Sequence, residues 1–110
     1  MGKTVPICER YPLADPVKLD PKHYKVEFEN DKVRVLRIKY GLNEKSVMHK
    51  HPDGVGVFLN DQQGKFTYPD GRTEKIDMKK GTPAWFPAVE HLPENIGKNP
   101  IELIFIELKK

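Results

Sequence analysis

Three histidines carry the chemistry that can be read from this sequence. His49 and His51 stand one residue apart in Val47-Met48-His49-Lys50-His51-Pro52-Asp53-Gly54. His91 lies in a second apolar segment, Trp85-Phe86-Pro87-Ala88-Val89-Glu90-His91-Leu92-Pro93-Glu94-Asn95. In an extended strand residues i and i+2 point to one face, so His49 and His51 project together and Lys50 projects the opposite way. Neutral imidazoles each bring a donor and an acceptor that need partners, which makes a pair of them poor core material. Neighbouring nitrogens on one face suit the binding of a single metal ion in cis. The pair alone is compatible with solvent-facing side chains, with polar groups satisfied inside a core, or with two metal ligands. His91 alone is compatible with a third ligand or with a core histidine bonded to a carbonyl.

The elements that must position these residues read as short strands. Tyr24 to Glu29 alternates as YKVEFE, Asn30-Asp31 turns, and Val33 to Tyr40 is rich in β-branched and apolar residues. A loop from Gly41 to Ser46 leads to the histidine strand, and Val55 to Leu59 follows. Lys65 to Tyr68 and Thr73 to Met78 flank Pro69-Asp70-Gly71, a hairpin signal. Lys79-Lys80-Gly81 turns before Thr82 to Phe86, and Ile101 to Leu108 closes the chain as an apolar strand. No window shows capped 3.6-residue periodicity, so an all-β sandwich or barrel is expected. Residues 1–23 hold Pro6, Pro12, Pro16 and Pro21 and are expected to form an extended arm without helix, with the barrel spanning 24–110.

The two histidine segments together resemble the motifs of the cupins, small antiparallel jelly-roll β-barrels. Gly64 ends the first segment after His49 and His51. Gly81 and Pro87 keep the second motif's spacing, as do His91 and Asn95. The resemblance covers roughly residues 24–108 and is closest to short single-barrel cupins with HxHPD and HLPEN signatures, some of them connected with β-alanine degradation. It implies one divalent transition metal held by His49, His51 and His91. Four departures stand out. Asn43 takes the place of a motif glycine, a mild change because Asn tolerates the left-handed region. Val89 replaces another glycine, and His91 comes one residue early after Pro87. The largest departure is a missing glutamate ligand: no carboxylate lies between Gly54 and Asn60.

Three neutral ligands leave the ion's charge uncompensated and coordination positions open, which suits catalysis better than a closed structural site. The resemblance to all-histidine cupins suggests an Fe(II)-dependent dioxygenase acting on a small organic substrate, with Zn, Ni or Mn as alternative ions. A Lewis-acid isomerase, decarboxylase or hydrolase is the first rival reading, and a non-catalytic small-ligand module the second. Phe58, Phe66 and Tyr68 are candidate pocket walls, and only one of Trp85 and Phe86 should face inward, with Trp85 taken as the lining candidate. Arg37, on the face of Val33 and Val35, is a candidate for meeting an anionic substrate. Glu90 beside His91 is a candidate orienting group or base. Glu107 shares a face with Ile101, Leu103 and Phe105 and has the same two-sided reading as Arg37. His23 is expected to be exposed or structural.

Bulk properties narrow the partners. The net charge of +3 comes from scattered lysines and arginines among acids, which argues against nucleic acid as a partner. No apolar run reaches the ~20 residues of a membrane span. MGKTVPICER lacks the apolar core of a signal peptide, and Pro6 spoils a myristoylation match, so a cytoplasmic protein is expected. A single cysteine, Cys8, excludes an internal disulfide. The proline-rich arm, with no evident core of its own to join, and the habit of small cupins suggest a homodimer.

Overall fold

The computed structural model describes residues 14–109. Nine strands run β1 Tyr24–Glu29, β2 Val33–Tyr40, β3 His49–His51, β4 Gly54–Phe58, β5 Gln62–Thr67, β6 Thr73–Met78, β7 Pro83–Phe86, β8 Val89–Asn95 and β9 Ile101–Leu108. They form a five-stranded sheet of order β1-β2-β9-β4-β7 and a four-stranded sheet of order β3-β8-β5-β6. Every pairing is antiparallel, as a jelly-roll barrel requires.

Strand alternation decides what enters the barrel. On β2 the buried residues are Arg34, Leu36, Ile38 and Tyr40, while Val33, Val35 and Arg37 are only partly covered on the other face. On β9, Ile101, Phe105 and Glu107 are buried. Tyr24, Leu36, Ile38, Tyr40, Ile101 and Phe105 make the core cluster, with Val17, Phe86 and Leu103 packed against it. The β5–β6 hairpin turns at Tyr68–Arg72, where Gly71 adopts φ 90° and donates its N–H to the Tyr68 carbonyl. Asn43 adopts φ 63°, the left-handed conformation expected of the residue standing in for a motif glycine.

Two elements depart from the sequence reading. Pro16–Leu19 forms one helical turn, α1, although the prolines argued against helix. Proline is accepted at the first helical position, and the Asp15 side chain caps the turn by accepting the Val17 N–H at 3.0 Å. The described part of the arm is also not free of the barrel: Asp15, Pro16, Asp20 and His23 are buried against it. Cys8, Pro6, Pro12 and the N-terminal Met1-Gly2 lie outside the described residues. The second departure is β8. No strand is expected over these residues, yet Val89–Asn95 forms one, with Pro93 inside it and the Pro93 carbonyl accepting the Ser46 N–H. No helix among the described residues is long and apolar enough to cross a membrane.

Candidate metal centre

Strands β3 and β8 pair so that His49 lies directly opposite His91. His51 follows on the same face, and the three rings meet edge to face with centroids 4.8, 5.0 and 5.3 Å apart. All three are buried, and each offers a ligand nitrogen within 4.8 Å of the others. Burial, reinforced by the charge that His51 would carry, pushes the His49 imidazole down to about 2 and the His91 imidazole well below its ordinary range. Both rings are therefore neutral at neutral pH and keep a lone pair.

Hydrogen-bond partners select which nitrogen that lone pair occupies. His49 Nδ1 lies 2.8 Å from the Val47 carbonyl, which can only accept, so Nδ1 carries the proton and Nε2 is the free base. His51 Nδ1 lies 2.9 Å from Glu107 Oε2, and the same logic frees its Nε2. Neither ring nitrogen of His91 has a hydrogen-bond partner among the described residues, although both are buried. A buried unpaired polar atom costs about 1–3 kcal/mol, and an ion removes that cost at the one His91 nitrogen that ligates it. The donor set thus fits a divalent transition ion: three imidazoles, two of them oriented from behind by acceptors.

The position where a motif glutamate is missing also has a structural account. Gly54, Gly56 and Phe58 are the inward positions of β4. A Cβ on Gly56 would stand 3.0 Å from the Phe86 ring, so an aromatic wall occupies the room a longer side chain would need. The buried carboxylate comes instead from β9. Glu107 is 1% exposed and both of its oxygens are engaged, one by His51 and the other by Arg34 Nε at 2.8 Å. It holds a histidine and is not presented as a ligand.

Beside the histidines opens a cavity of about 80 Å³ whose walls are mostly apolar, among them Phe58, Phe66, Phe86 and Phe105. At about 10–15 Å³ per water by this measure, it accommodates a small organic molecule of a few heavy atoms. Tyr24 and Tyr40 also line it, their hydroxyls 2.5 Å from each other and that of Tyr24 3.3 Å from His49 Nε2. Burial raises both phenols above their ordinary range, so they stay protonated and able to donate.

Several expected site residues lie elsewhere. Trp85 is 54% exposed and Phe86 takes the inward place, because adjacent strand residues face opposite ways. Tyr68 sits at the β5–β6 turn and donates to Glu74 at 2.6 Å, away from the cavity wall. Arg37 faces outward and pairs with Glu102 and Glu27. Glu90, next to His91 in the strand, points to the opposite face, across from Lys50 in the register. His23 takes the structural alternative: it is buried, stacks on Tyr40 at 4.4 Å, and bonds Asp20 and Glu44. Sequence reading missed Tyr24, Tyr40 and Arg34. For Arg34 and Tyr40 the signal was the parity of β2, but VRVLRIKY carries apolar residues on both faces and does not say which one is inside.

Known structures share this architecture. A cupin domain from Bordetella pertussis Tohama I aligns with TM-score 0.73 and 22% identity over 79% of this chain and 92% of that one. An RmlC-like cupin family protein of double-stranded β-helix fold from Methanocaldococcus jannaschii aligns at TM-score 0.62 and 19% identity, covering 82% and 84% of the two chains. A cupin superfamily protein from Desulfitobacterium hafniense gives TM-score 0.58 and 18% identity over 79% and 76%. No protein-family model and no curated protein matches the sequence. The chain therefore has the cupin fold, with a three-histidine cluster that can hold a metal.

Proposed function

We propose that this cupin barrel is a metal-dependent enzyme for a small organic substrate, with iron(II) on His49, His51 and His91 and dioxygen as co-substrate. The observation that carries the reading is the pair of unpartnered, buried nitrogens of His91, facing two histidines whose Nε2 atoms are held as free bases. A divalent ion bound there supplies Lewis acidity for an anionic substrate oxygen and, as iron, a partner for dioxygen. Val47 and Glu107 fix the tautomers of His49 and His51. Phe58, Phe66, Phe86 and Phe105 exclude water and accept an apolar substrate body. The Tyr24 hydroxyl, 3.3 Å from His49 Nε2 and 2.5 Å from that of Tyr40, places a hydrogen-bonding group beside that histidine.

Dioxygen uptake tests this reading. Untagged, iron-loaded protein is expected to consume dioxygen with at least one member of a panel of short β-diketones, small thiols and short oxo-acids. Uptake should vanish in His91→Ala. Turnover of a panel member without dioxygen would replace this reading with the Lewis-acid one, using zinc, nickel or manganese as readily as iron. Tight binding of a panel member without turnover would replace it with a ligand-binding module.

A further inference from the structure

The segment from Asp15 to His23 reaches both histidines of the HxH pair, by two separate routes. Asp15 Oδ1 and Oδ2 accept from Arg34 Nη2 and Nη1 at 2.9 and 3.1 Å. Arg34 Nε donates to Glu107 at 2.8 Å, and Glu107 accepts from His51 Nδ1 at 2.9 Å. Asp20 Oδ2 accepts from the Ser46 hydroxyl at 2.6 Å, which turns the Ser46 lone pairs toward His49 Nδ1 at 3.3 Å. His23 Nδ1 braces Asp20 from the other side at 2.8 Å. Asp15, Asp20, Arg34, Ser46 and Glu107 are all buried.

We infer that Asp15 and Asp20 are positioning residues of the metal centre, and that docking of the Asp15–His23 segment sets its affinity for metal. The inference rests on the reading of His49, His51 and His91 as ligands. Charge supports it: Asp15, Arg34 and Glu107 sum to one buried negative charge that ends on a ligand imidazole, and a cation on His51 Nε2 compensates it. Stability alone gives no reason for the row. Buried ion pairs are often matched or exceeded by apolar residues of similar volume, because desolvation offsets their attraction. What the row does supply is orientation, since an acceptor behind a ligating imidazole fixes its tautomer and raises its basicity. The local sequence serves the same end. Pro16 presets the helical turn, and Asp15 caps it through Oδ1 while both carboxylate oxygens hold Arg34.

Cobalt(II) binding to the full chain, read from its visible absorption, tests the inference without any substrate. Asp15→Asn keeps the shape and the capping oxygen, since Asn caps about as well as Asp, but removes the charge that holds Arg34. Ser46→Ala removes one hydroxyl from the other route. Each is expected to raise the cobalt dissociation constant, by up to the roughly 10- to 100-fold typical of outer ligand partners. The double variant should bind more weakly than either single one, with the two effects coupled because both histidines would ligate one ion. A purely structural role would lower the melting temperature of the metal-free protein and leave the dissociation constant unchanged, which overturns the inference. Should Asp15→Asn fail to fold, Ser46→Ala decides by the same criterion. Wild-type protein that binds no cobalt would instead overturn the ligand reading on which this rests.

Discussion

An imidazole buried with both nitrogens unpartnered, as in His91, is tolerable only while it stays neutral, and His49 shares that constraint. Each has an ordinary value of 6.5 in the unfolded chain and a depressed one in the fold. Above 6.5 both states are neutral and pH has no leverage through these groups. As pH falls below 6.5 the unfolded chain takes up protons that the fold refuses, so stability declines, for His49 down to about 2. At about 1.4 kcal/mol per pH unit, His49 alone should cost the metal-free protein about 2 kcal/mol between pH ~6.5 and ~5, with His91 acting in the same direction. Urea unfolding of the metal-free protein at several pH values reads this directly; a midpoint that stays constant across that window would contradict it. At this scale the three histidines were legible because type, spacing and order agree. The residues behind them were not. Nothing local tells Arg34 from Arg37 when both faces of β2 carry apolar residues, and Glu107 meets His51 across 56 positions of sequence.

Strand β4 shows how an element can be shaped by what it lacks. A Cβ on Gly54 would lie 2.5 Å from the Ile106 carbonyl oxygen and 2.8 Å from Phe105 Cζ. The first neighbour is backbone in the adjacent strand and cannot swing aside. Gly54→Ala should therefore destabilise by about 1–3 kcal/mol, the usual range for overpacking. Gly56→Ala should cost less, since its neighbour is the Phe86 ring at 3.0 Å, and a ring can shift. Denaturant midpoints of both variants check the order; equal or reversed losses would count against this account of β4. Bounds of β1, β2, β6 and β9 were legible from alternation and turn residues. β8 was not, since proline is rare inside strands, whereas an extended chain accepts Pro93 where its N–H is not needed. The α1 turn was written in Asp15-Pro16, a capping residue followed by proline at the first helical position, but four prolines in a short span outweighed it.

Across the whole molecule the candidate centre joins the two sheets through polar side chains as well as apolar packing. His49, His51 and His91 come from the four-stranded sheet, Glu107 and Arg34 from the five-stranded sheet, and Asp15 from the turn that closes one end. An ion on the three histidines would thus strengthen a junction between elements distant in sequence, and would stabilise the fold by mass action. A sandwich or barrel was legible from many short strands with frequent turns, and its jelly-roll form from the resemblance of the histidine segments to cupin motifs. Docking of the N-terminal segment was not, since its buried contacts are mostly polar side chains, with Val17 its apolar residue packed on the core. The central claim, that three histidines hold one metal ion, is tested most directly by titrating untagged, metal-free protein with cobalt(II) and following the visible spectrum. Saturation at one ion per chain in the wild type, and loss of that binding in a folded His91→Ala variant, is the result predicted. No binding, or binding that His91→Ala leaves unchanged, would contradict it.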